Sequence, residues 1–340
     1  MQTEAPQRFH WAIIGPGNIA HQFAAALAGV PGAAIGCVVG RDAARAQAFA
    51  QRWQPAQAQT IRVSTQLADV LADPGIDGVY IATPHTSHAE HARACLLAGK
   101  PVLCEKPLTH DLAETRALVA LARQQGVFLM EALWTRFTPL YRDLAERLAQ
   151  GAIGELRAIQ SSFCFNVPYD ASSRMFDPAL GGGALLDLGV YNIAMSRWAV
   201  AAAQGACAQP IHLTAQVKRA PTGVDTRTSA QLQFAGDLSA QFICGMDGLG
   251  SNGLHLFGSE GCIVVAERFW MGTEAVIHRG WDERESISHP FAVNGYEYEV
   301  LEAQRCIRAE LTESPLMPLD ETLAIMATLD AVRAAATIAP

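Results

Sequence analysis

Two short segments of this chain carry residues that could pass a proton to or from a substrate. Lys106 follows a predicted buried strand, in the run Glu105-Lys106-Pro107, and Asp187 and Tyr191 stand four residues apart further along. A free tyrosine has a pKa of about 10, and a neighbouring ammonium favours its phenolate. We therefore predict Tyr191 as a general acid and base assisted by Lys106. If its segment is helical, Asp187 shares a face with Tyr191 and could orient the substrate or the lysine.

A glycine-rich loop near the N-terminus offers a place for a redox cofactor. The run Gly15-Pro16-Gly17-Asn18-Ile19-Ala20 follows an apolar strand and opens a helical pattern. Its glycines allow a tight turn and a close approach of a pyrophosphate, whose charge then lies at the positive end of the helix. A nicotinamide bound there accepts the hydride of an alcohol, while a protein base takes the proton. The chemistry predicted is hydride transfer.

The end of the second strand bears on the choice between NAD and NADP. An acid at this place pairs with the free ribose hydroxyl of NAD, whereas an arginine suits the extra phosphate of NADP. Here the strand ends in Val39-Gly40-Arg41, and Arg45 follows one helical turn later. Asp42 could also reach a ribose, so NAD stays open. We predict NADP, with Arg41 as a ligand of its phosphate.

The order of the apolar patterns predicts an α/β protein of two domains. In the first part, short apolar runs alternate with helical patterns, as in a parallel sheet with crossover helices. The strands predicted there are 9–14, 34–39, 61–63, 78–82, 102–104 and 127–130, with a helix at 111–125. We place a dinucleotide-binding domain at 8–131 and a second domain, for substrate binding and oligomerisation, at 132–340.

The second part predicts a mostly antiparallel sheet with helices around it. Alternating apolar and polar residues indicate strands at 156–164, 211–218, 226–234, 238–246, 253–257, 262–266 and 274–278. Helices are predicted at 139–149, 178–203, 298–310 and 320–336, and the last of these could pack back on the first domain. The glycines at 181–183 weaken a helix there and could serve a close approach of the backbone.

Composition narrows the partners and the compartment. The formal net charge of −8 comes without a long basic run, so nucleic acid and anionic membranes are not expected partners. Met1 to Arg8 is polar, and no segment is apolar over the length that a bilayer requires. The eight cysteines are scattered without a Cys-x-x-Cys pair, as in a reducing compartment. We predict a cytoplasmic protein.

Taken in order, the motifs resemble those of a known family. With the glycine loop, Ala82-Thr83-Pro84, Glu105-Lys106-Pro107 and Asp187-Leu188-Gly189-Val190-Tyr191, the chain resembles the glucose-fructose oxidoreductase, inositol dehydrogenase and MocA family. The runs 130–137 and 181–187 are most similar to the branch of dimeric dihydrodiol dehydrogenase and NADP-dependent xylose dehydrogenase. The family implies an N-terminal Rossmann domain and a C-terminal domain with a large open mixed sheet, through which a homodimer or homotetramer would form.

The resemblance also implies roles for residues near the cofactor. Thr83 and Pro84 would line the cofactor cleft, and Glu105 and Lys106 would lie near the nicotinamide ribose. Inositol dehydrogenases have histidine at the place of Tyr191, so this chain follows the tyrosine branch. The asparagine that is common after Thr-Pro is His85 here, which leaves the detail of the nicotinamide contacts open.

A run of three histidines also invites a metal interpretation. In His85-x-x-His88-x-x-His91 steps of three drift around a helix, so the outer two diverge, and no cluster of acids or cysteines completes a site. We predict no metal. His88 is instead expected to organise the cofactor loop.

The substrate is predicted only as a class. Phe163 is expected in the core, and the candidate substrate contacts are Trp134, Arg136, Phe165 and Arg174. Aromatic walls suit a sugar face or a hydrocarbon ring equally. We predict an oxidoreductase acting on a secondary alcohol or ketone, or a hemiacetal or lactone, of a sugar, cyclic polyol or dihydrodiol. Two alternatives stay open: a catalytically silent sugar or cofactor sensor, and a sugar–sugar oxidoreductase that never releases its NADP.

Overall fold

The computed structural model describes residues 8–57, 59–280 and 282–338, which divide into two units. The first unit consists of 8–109, 113–134 and 292–322, and the second of 110–112, 135–291 and 323–338. In chain order the α-helices are α1 (Asn18–Ala26), α2 (Ala43–Trp53), α3 (Ala68–Leu71), α4 (His88–Leu97), α5 (Leu112–Gln125), α6 (Pro139–Ala149), α7 (Val190–Gln204), α8 (Glu297–Arg308) and α9 (Leu319–Ala335).

A six-stranded parallel sheet forms the centre of the first unit. Its strands are β1 (Phe9–Ile14), β2 (Ala33–Val39), β3 (Arg62–Ser64), β4 (Gly78–Ile81), β5 (Val102–Glu105) and β6 (Leu129–Ala132), in the order β3-β2-β1-β4-β5-β6. Strands β4, β5 and β6 are buried at every position, as expected for a parallel sheet covered on both faces. The strand order reverses between β1 and β4, and ligands of open α/β sheets bind at such a point.

Aromatic packing fixes α1 against this sheet. The ring of Phe23 on α1 stacks on Tyr80 of β4, with 3.7 Å between centroids, and meets Trp11 of β1 edge to face. All three side chains are fully buried. Burial of one such side chain stabilises the fold by about 1.5–3 kcal/mol. The helix that follows the glycine loop is therefore held rigidly over β1 and β4.

A nine-stranded mixed sheet forms the second unit. Its further strands are β7 (Leu156–Cys164), β8 (His212–Arg219), β9 (Asp225–Gln233), β10 (Ser239–Gly245), β11 (Leu254–Gly258), β12 (Gly261–Val265), β13 (Glu274–Arg279), β14 (Glu283–Ser288) and β15 (Ala336–Ile338). The order is β14-β13-β12-β11-β7-β10-β9-β8-β15. Only the pairs β7–β10 and β8–β15 in this sheet are parallel. The predicted fold class, a Rossmann domain plus a mixed, mostly antiparallel sheet, is confirmed.

Helix α7 is anchored on this sheet by a buried polar contact. Asn192 donates a 2.8 Å hydrogen bond to Ser161 on β7, and both side chains are buried. Ser196, one turn along, donates its hydroxyl proton to the carbonyl of Asn192. Because a broken buried hydrogen bond costs about 1–3 kcal/mol, the contact fixes the rotation of the helix.

The helix predicted at 178–203 is wrong over its first third. Asp177 does cap a turn, accepting the amide of Ala179 at 2.8 Å, but only a short 3₁₀ segment, Pro178–Leu180, follows. Gly181 then adopts a left-handed conformation with φ of 72°. A wide π-helical turn at Leu185–Gly189 leads into α7. The glycines thus end one turn before another begins.

The units break at residues 134–135, close to the predicted boundary at 131–132, and the C-terminal part of the chain is divided again. Residues 292–322, with α8, belong to the first unit, where Asn294 donates a 2.9 Å hydrogen bond to the carbonyl of Gln22 on α1. Most of α9 belongs to the second unit, where Thr328 donates to the side chain of Gln209 at 3.0 Å. The first unit is therefore built from chain segments that lie on both sides of the second in sequence.

The chain has neither a disulfide bond nor a membrane-spanning helix among its described residues. All eight cysteines are free thiols, most of them buried. Among the helices of the described residues, none has the length and the apolar composition needed to cross a bilayer.

Candidate active site

The glycine loop lies against the residues that follow β4. Gly15 has φ of 89°, and a Cβ added to it would meet the carbonyl oxygen of Ala82 at 2.8 Å and the side chain of Thr83 at 2.9 Å. The Gly17 amide then donates to the Gly15 carbonyl at 2.8 Å, which closes a tight turn before α1. Only glycine fits the first position, because both the backbone angle and the space exclude a side chain.

The loop after β2 positions an arginine and occupies the neighbouring acid. Asp42 caps α2, accepting the amides of Ala44 at 2.9 Å and Arg45 at 3.1 Å on one carboxylate oxygen. Arg45 donates from Nε to the carbonyl of Pro16 at 3.2 Å, so it braces the glycine loop. Arg41 is exposed. A side chain at Gly40 would lie 3.0 Å from the ring of Pro16, which leaves little room for an acid.

His88 joins the two loops that follow β4 and β5. It is fully buried, and its ring nitrogens lie 2.9 Å from the carbonyl oxygens of Thr83 and Pro107. Burial lowers the pKa of His88 to about 4, although the two carbonyls favour its protonated form. Both nitrogens are engaged with carbonyls, so His88 is not placed to bind a metal. These contacts join the two loops, and the role of His88 toward a cofactor stays a prediction.

The end of β5 holds a buried carboxylate beside the candidate lysine. Tyr80 donates its phenol proton to Glu105 at 2.5 Å, and the amide of Lys106 donates to the other carboxylate oxygen at 3.2 Å. Burial, with the negative charge of Glu105 as a smaller cause, raises the pKa of Tyr80 well above its ordinary value, so the phenol keeps its proton. The Lys106–Pro107 peptide bond is cis. Lys106 itself is half-buried.

In the second unit the wide turn at Leu185–Gly189 carries Asp187, and Tyr191 lies in the first turn of α7. Tyr191 is buried, with its ring 5.6 Å from that of Phe163. Asp187 forms an ion pair with Arg174, whose guanidinium nitrogen lies 3.4 Å from the carboxylate. Turns of this π type are frequent at functional sites.

A half-buried aspartate that the sequence did not single out holds this turn. Asp225 at the start of β9 accepts the amide of Leu185 at 2.7 Å and the hydroxyl of Thr228 at 3.1 Å. Burial raises the pKa of Asp225, and these two bonds oppose the shift. Its carboxylate also fills the space where a Cβ on Gly183 would stand, at 2.4 Å. In the sequence, the glycine at residue 183 was the only signal for this close approach of Asp225 to the turn.

Gly189, inside the motif Asp-Leu-Gly-Val-Tyr, packs closely on β10. A Cβ there would lie 2.8 Å from Leu185 and 3.0 Å from the sulfur of Cys244. The motif glycine therefore lets the turn approach the sheet, and a side chain there would push Asp187 and Tyr191 out of position.

The four candidate substrate residues have different surroundings. Trp134 is 4 % exposed and stacks on Tyr296, with 4.7 Å between rings, so most of its surface serves packing. Phe165 is 37 % exposed and contacts Trp270 edge to face. Arg174 is exposed, and Arg136 is half-buried. Phe163, expected in the core, is buried and stacked on Trp270.

The structure brings the predicted residues together within each unit. In the first, Gly15, Thr83, His88 and Pro107 form one connected group, next to Glu105 and Lys106 in sequence. In the second, Arg174, Asp187 and Tyr191 lie on or beside one turn. Lys106 belongs to the first unit and Tyr191 to the second, and their joint action stays a prediction.

Comparison with known proteins adds a family to this geometry. The N-terminal model of the GFO/IDH/MocA oxidoreductase family, described as an NAD-binding Rossmann fold, matches residues 9–133, and a C-terminal domain model of the same family matches residues 141–264. Trans-1,2-dihydrobenzene-1,2-diol dehydrogenase of Mus musculus is 34% identical over 96% of both chains, and that of Homo sapiens is 33% identical over 96% of both.

A solved structure resembles the whole chain. It is a 3-ketoreductase from Actinomadura kijaniata in complex with NADP and TDP-benzene, 27% identical, with a TM-score of 0.84 over 98% of this chain and 99% of that one. The solved forms of that enzyme include variants in which one lysine is replaced by alanine or by glutamate, and one tyrosine by phenylalanine.

Proposed function

Since the chain belongs to the GFO/IDH/MocA oxidoreductase family and is an NAD(P)-dependent dehydrogenase or reductase of CH–OH groups, we propose that its cofactor is NADP and its substrate a secondary alcohol, or the matching ketone, of a dihydrodiol, sugar or cyclic polyol. A hemiacetal and its lactone belong to the same class. The observation that carries this proposal is the one-third identity to dihydrodiol dehydrogenases over nearly the whole chain.

In the proposed reaction, Tyr191 takes the hydroxyl proton while the C–H bond gives its hydride to the nicotinamide. In reverse, the Tyr191 phenol returns the proton to the carbonyl oxygen. Lys106 lowers the cost of the phenolate by its positive charge, and Asp187 orients the substrate or the lysine. The lysine and tyrosine variants of the ketoreductase concern the same two residue types, which supports this choice.

The preference for NADP rests on three residues after β2. A side chain at Gly40 would press on the ring of Pro16, which leaves little room for the acid that selects NAD, and Asp42 is engaged in capping α2. Arg41 is exposed and available to a phosphate. The remaining cofactor contacts proposed are Gly15, Pro16, Gly17, Asn18, Ile19, Thr83, Pro84, His88, Glu105 and Lys106. The NADP bound to the similar ketoreductase supports the same choice.

For the substrate we propose contacts with Trp134, Arg136, Phe165 and Arg174. Phe165 offers an exposed aromatic face, and Arg174 and Asp187 together offer a donor and an acceptor to a hydroxyl group. A diol ring presents both an apolar face and adjacent hydroxyls, so these groups suit it.

We also propose that the open sheet joins copies of the chain, as a homodimer or homotetramer. Strand register aligns Gln160, Gln241 and Gln231 side by side on β7, β10 and β9, and all three are exposed. Amide side chains in a row can form hydrogen bonds with a second copy of the same row. Light scattering of the purified chain tests the number of subunits.

The cytoplasmic location remains a proposal based on the cysteines.

The proposed function is tested by a substrate panel. Purified protein is offered trans-dihydrodiols, aldoses and inositols with NADP or NAD, and the absorbance of the reduced nicotinamide is followed. Turnover with NADP and a diol or sugar supports the proposal. Binding without turnover of any member would favour the silent sensor instead. NADP that stays bound at full occupancy through gel filtration would favour the sugar–sugar oxidoreductase.

A further inference from the structure

A histidine on α1 holds the far end of α2 through a hydrogen bond. The indole Nε1 of Trp53, the last residue of α2, donates to Nδ1 of His21 at 2.9 Å. The His21 ring also stacks on Phe49, one turn earlier on α2, with 4.5 Å between ring centroids. An indole nitrogen only donates, so Nδ1 of His21 is the acceptor and the proton of the neutral imidazole is on Nε2.

The charges around His21 favour this neutral form. Burial, followed by the positive charges of Arg52 and Arg45 on α2, lowers the pKa of His21 below its ordinary value. At neutral pH the imidazole therefore carries no proton on Nδ1, as the hydrogen bond from Trp53 requires.

The other end of α2 is fastened to the glycine loop. Arg45, in the first turn of α2, donates from Nε to the carbonyl of Pro16 at 3.2 Å, and its guanidinium would lie 4.0 Å from a Cβ on Gly17. His21 follows this loop by one turn, since its amide donates to the carbonyl of Gly17 at 3.3 Å. The 11 residues of α2 span about 16 Å, so a hydrogen bond near each end fixes the direction of the helix relative to α1.

Arg41 precedes α2 by one residue, the capping Asp42, so the direction of the helix determines where Arg41 lies. We propose that His21 is a positioning residue: by accepting the indole proton of Trp53 it fixes α2, and so keeps Arg41 where it can bind the extra phosphate of NADP. The hydrogen bond stands on the first unit alone, whereas the consequence for the choice of cofactor rests on the proposed function. His21 acts through α2 and takes no part in the chemistry.

The hydrogen bond is tested first, without cofactor. In nitrogen–proton correlation spectra of the full chain, the indole peak of Trp53 is the one that disappears in Trp53→Phe. This peak should move upfield in His21→Leu and remain downfield in His21→Asn, whose amide oxygen can take the place of Nδ1. The exposed control His212→Gln should leave the peak unchanged. An equal shift in the leucine and asparagine variants, or no shift in either, would overturn the proposal.

The positioning role is tested next, by fluorescence titration with NADPH and with NADH. His21→Leu should raise the Kd of NADPH by about three- to tenfold, the range of one net hydrogen bond, and leave that of NADH within about twofold. His21→Asn should bind NADPH within about twofold of wild type, although asparagine is the weaker helix former. If the substitutions acted only by weakening α1, the asparagine variant would bind NADPH less tightly than the leucine variant, and this result would contradict the positioning role.

Trp53→Phe removes the same hydrogen bond from the other side. It should raise the Kd of NADPH as His21→Leu does, and the double variant should add no more than about twofold, because both substitutions remove one interaction. Additive losses would overturn the role, and if His21→Leu fails to fold, the NADPH and NADH titrations of Trp53→Phe decide it. A wild-type chain that binds NADH as tightly as NADPH would contradict the proposed cofactor and this role with it. A preference for NADPH that is unchanged in His21→Leu would contradict the role alone.

Discussion

Asp225 accepts a 2.7 Å hydrogen bond from the backbone amide of Leu185, the first residue of the wide turn that carries Asp187. The bond connects β9 to the segment that precedes Tyr191, and it satisfies the amide of a buried residue. The positions of Asp187 and Tyr191 in the second unit thus depend on a residue outside the motif Asp187-Leu188-Gly189-Val190-Tyr191.

Replacing Asp225 by alanine should therefore lower turnover and stability together. Leaving the Leu185 amide unpaired in a buried place costs about 1–3 kcal/mol. We expect kcat to fall by about tenfold, while the Kd of NADPH stays unchanged because the cofactor residues lie in the other unit. Asp225→Asn keeps an acceptor oxygen and should behave nearly as wild type. Alanine and asparagine variants with equal kcat would show that the hydrogen bond does not position the turn.

Gly15→Ala should weaken cofactor binding sharply. The new Cβ would meet the Ala82 carbonyl at 2.8 Å, and the residue has φ of 89°. We expect the Kd of NADPH, from fluorescence titration, to rise by more than about tenfold. Gly99→Ala is the matched control, since it also has positive φ, 71°, but nothing within 4 Å of its Cβ. It should cost about 1–2 kcal/mol of stability and leave the Kd unchanged. Equal effects of the two substitutions on the Kd would contradict the assignment of the loop.

Arg41→Ala should remove the preference for NADP. A charge-assisted hydrogen bond contributes about 1.5–3 kcal/mol, so the Kd of NADPH should rise by about ten- to hundredfold while that of NADH stays within about twofold. Arg116→Ala, an exposed arginine on α5, serves as the control. A parallel loss of both cofactors would mean that Arg41 does not bind the extra phosphate.

His88 should make the fold sensitive to acid. Its pKa is about 4 in the folded chain and about 6.5 in an unfolded one, so only the unfolded chain takes up the proton between these values. Stability is then lost as the pH falls from about 6.5 toward 4, by up to roughly 3 kcal/mol from this residue. In urea unfolding, the free energy of unfolding of His88→Gln should fall less steeply with decreasing pH over this range than that of wild type. The exposed control His212→Gln should show the same pH dependence as wild type. If both variants show the wild-type pH dependence, another group is responsible.

Much of the fold could be read from apolar periodicity. The predictions for β1, α6 and β7 reproduce the observed bounds, because each has a clear apolar pattern and a glycine or proline close to one of its two ends. Strand β14 was missed since its sequence, Glu-Arg-Glu-Ser-Ile-Ser, is charged and buries only Ile287. An edge strand needs little apolar surface, and so gives little signal.

The site was predictable where a motif exists and not where tertiary packing decides. The glycine loop and the motifs at the strand ends could be predicted from their residue types and their order in the chain. In α8, by contrast, Glu297 accepts the amides of 293–295 while Glu299 is fully buried, and their spacing does not distinguish the two. Asp225 and Tyr80 likewise belong to strands without a motif, and their hydrogen-bond partners are distant in sequence, so their contacts could not be predicted.

The central claim is that Lys106 and Tyr191 perform the proton transfer, and the double variant Lys106→Met, Tyr191→Phe tests it most directly. With NADP and the best substrate from the panel, we expect kcat to fall by at least about a thousandfold, while the Kd of NADPH stays within about threefold of wild type. Turnover at the wild-type rate in this variant would contradict the account.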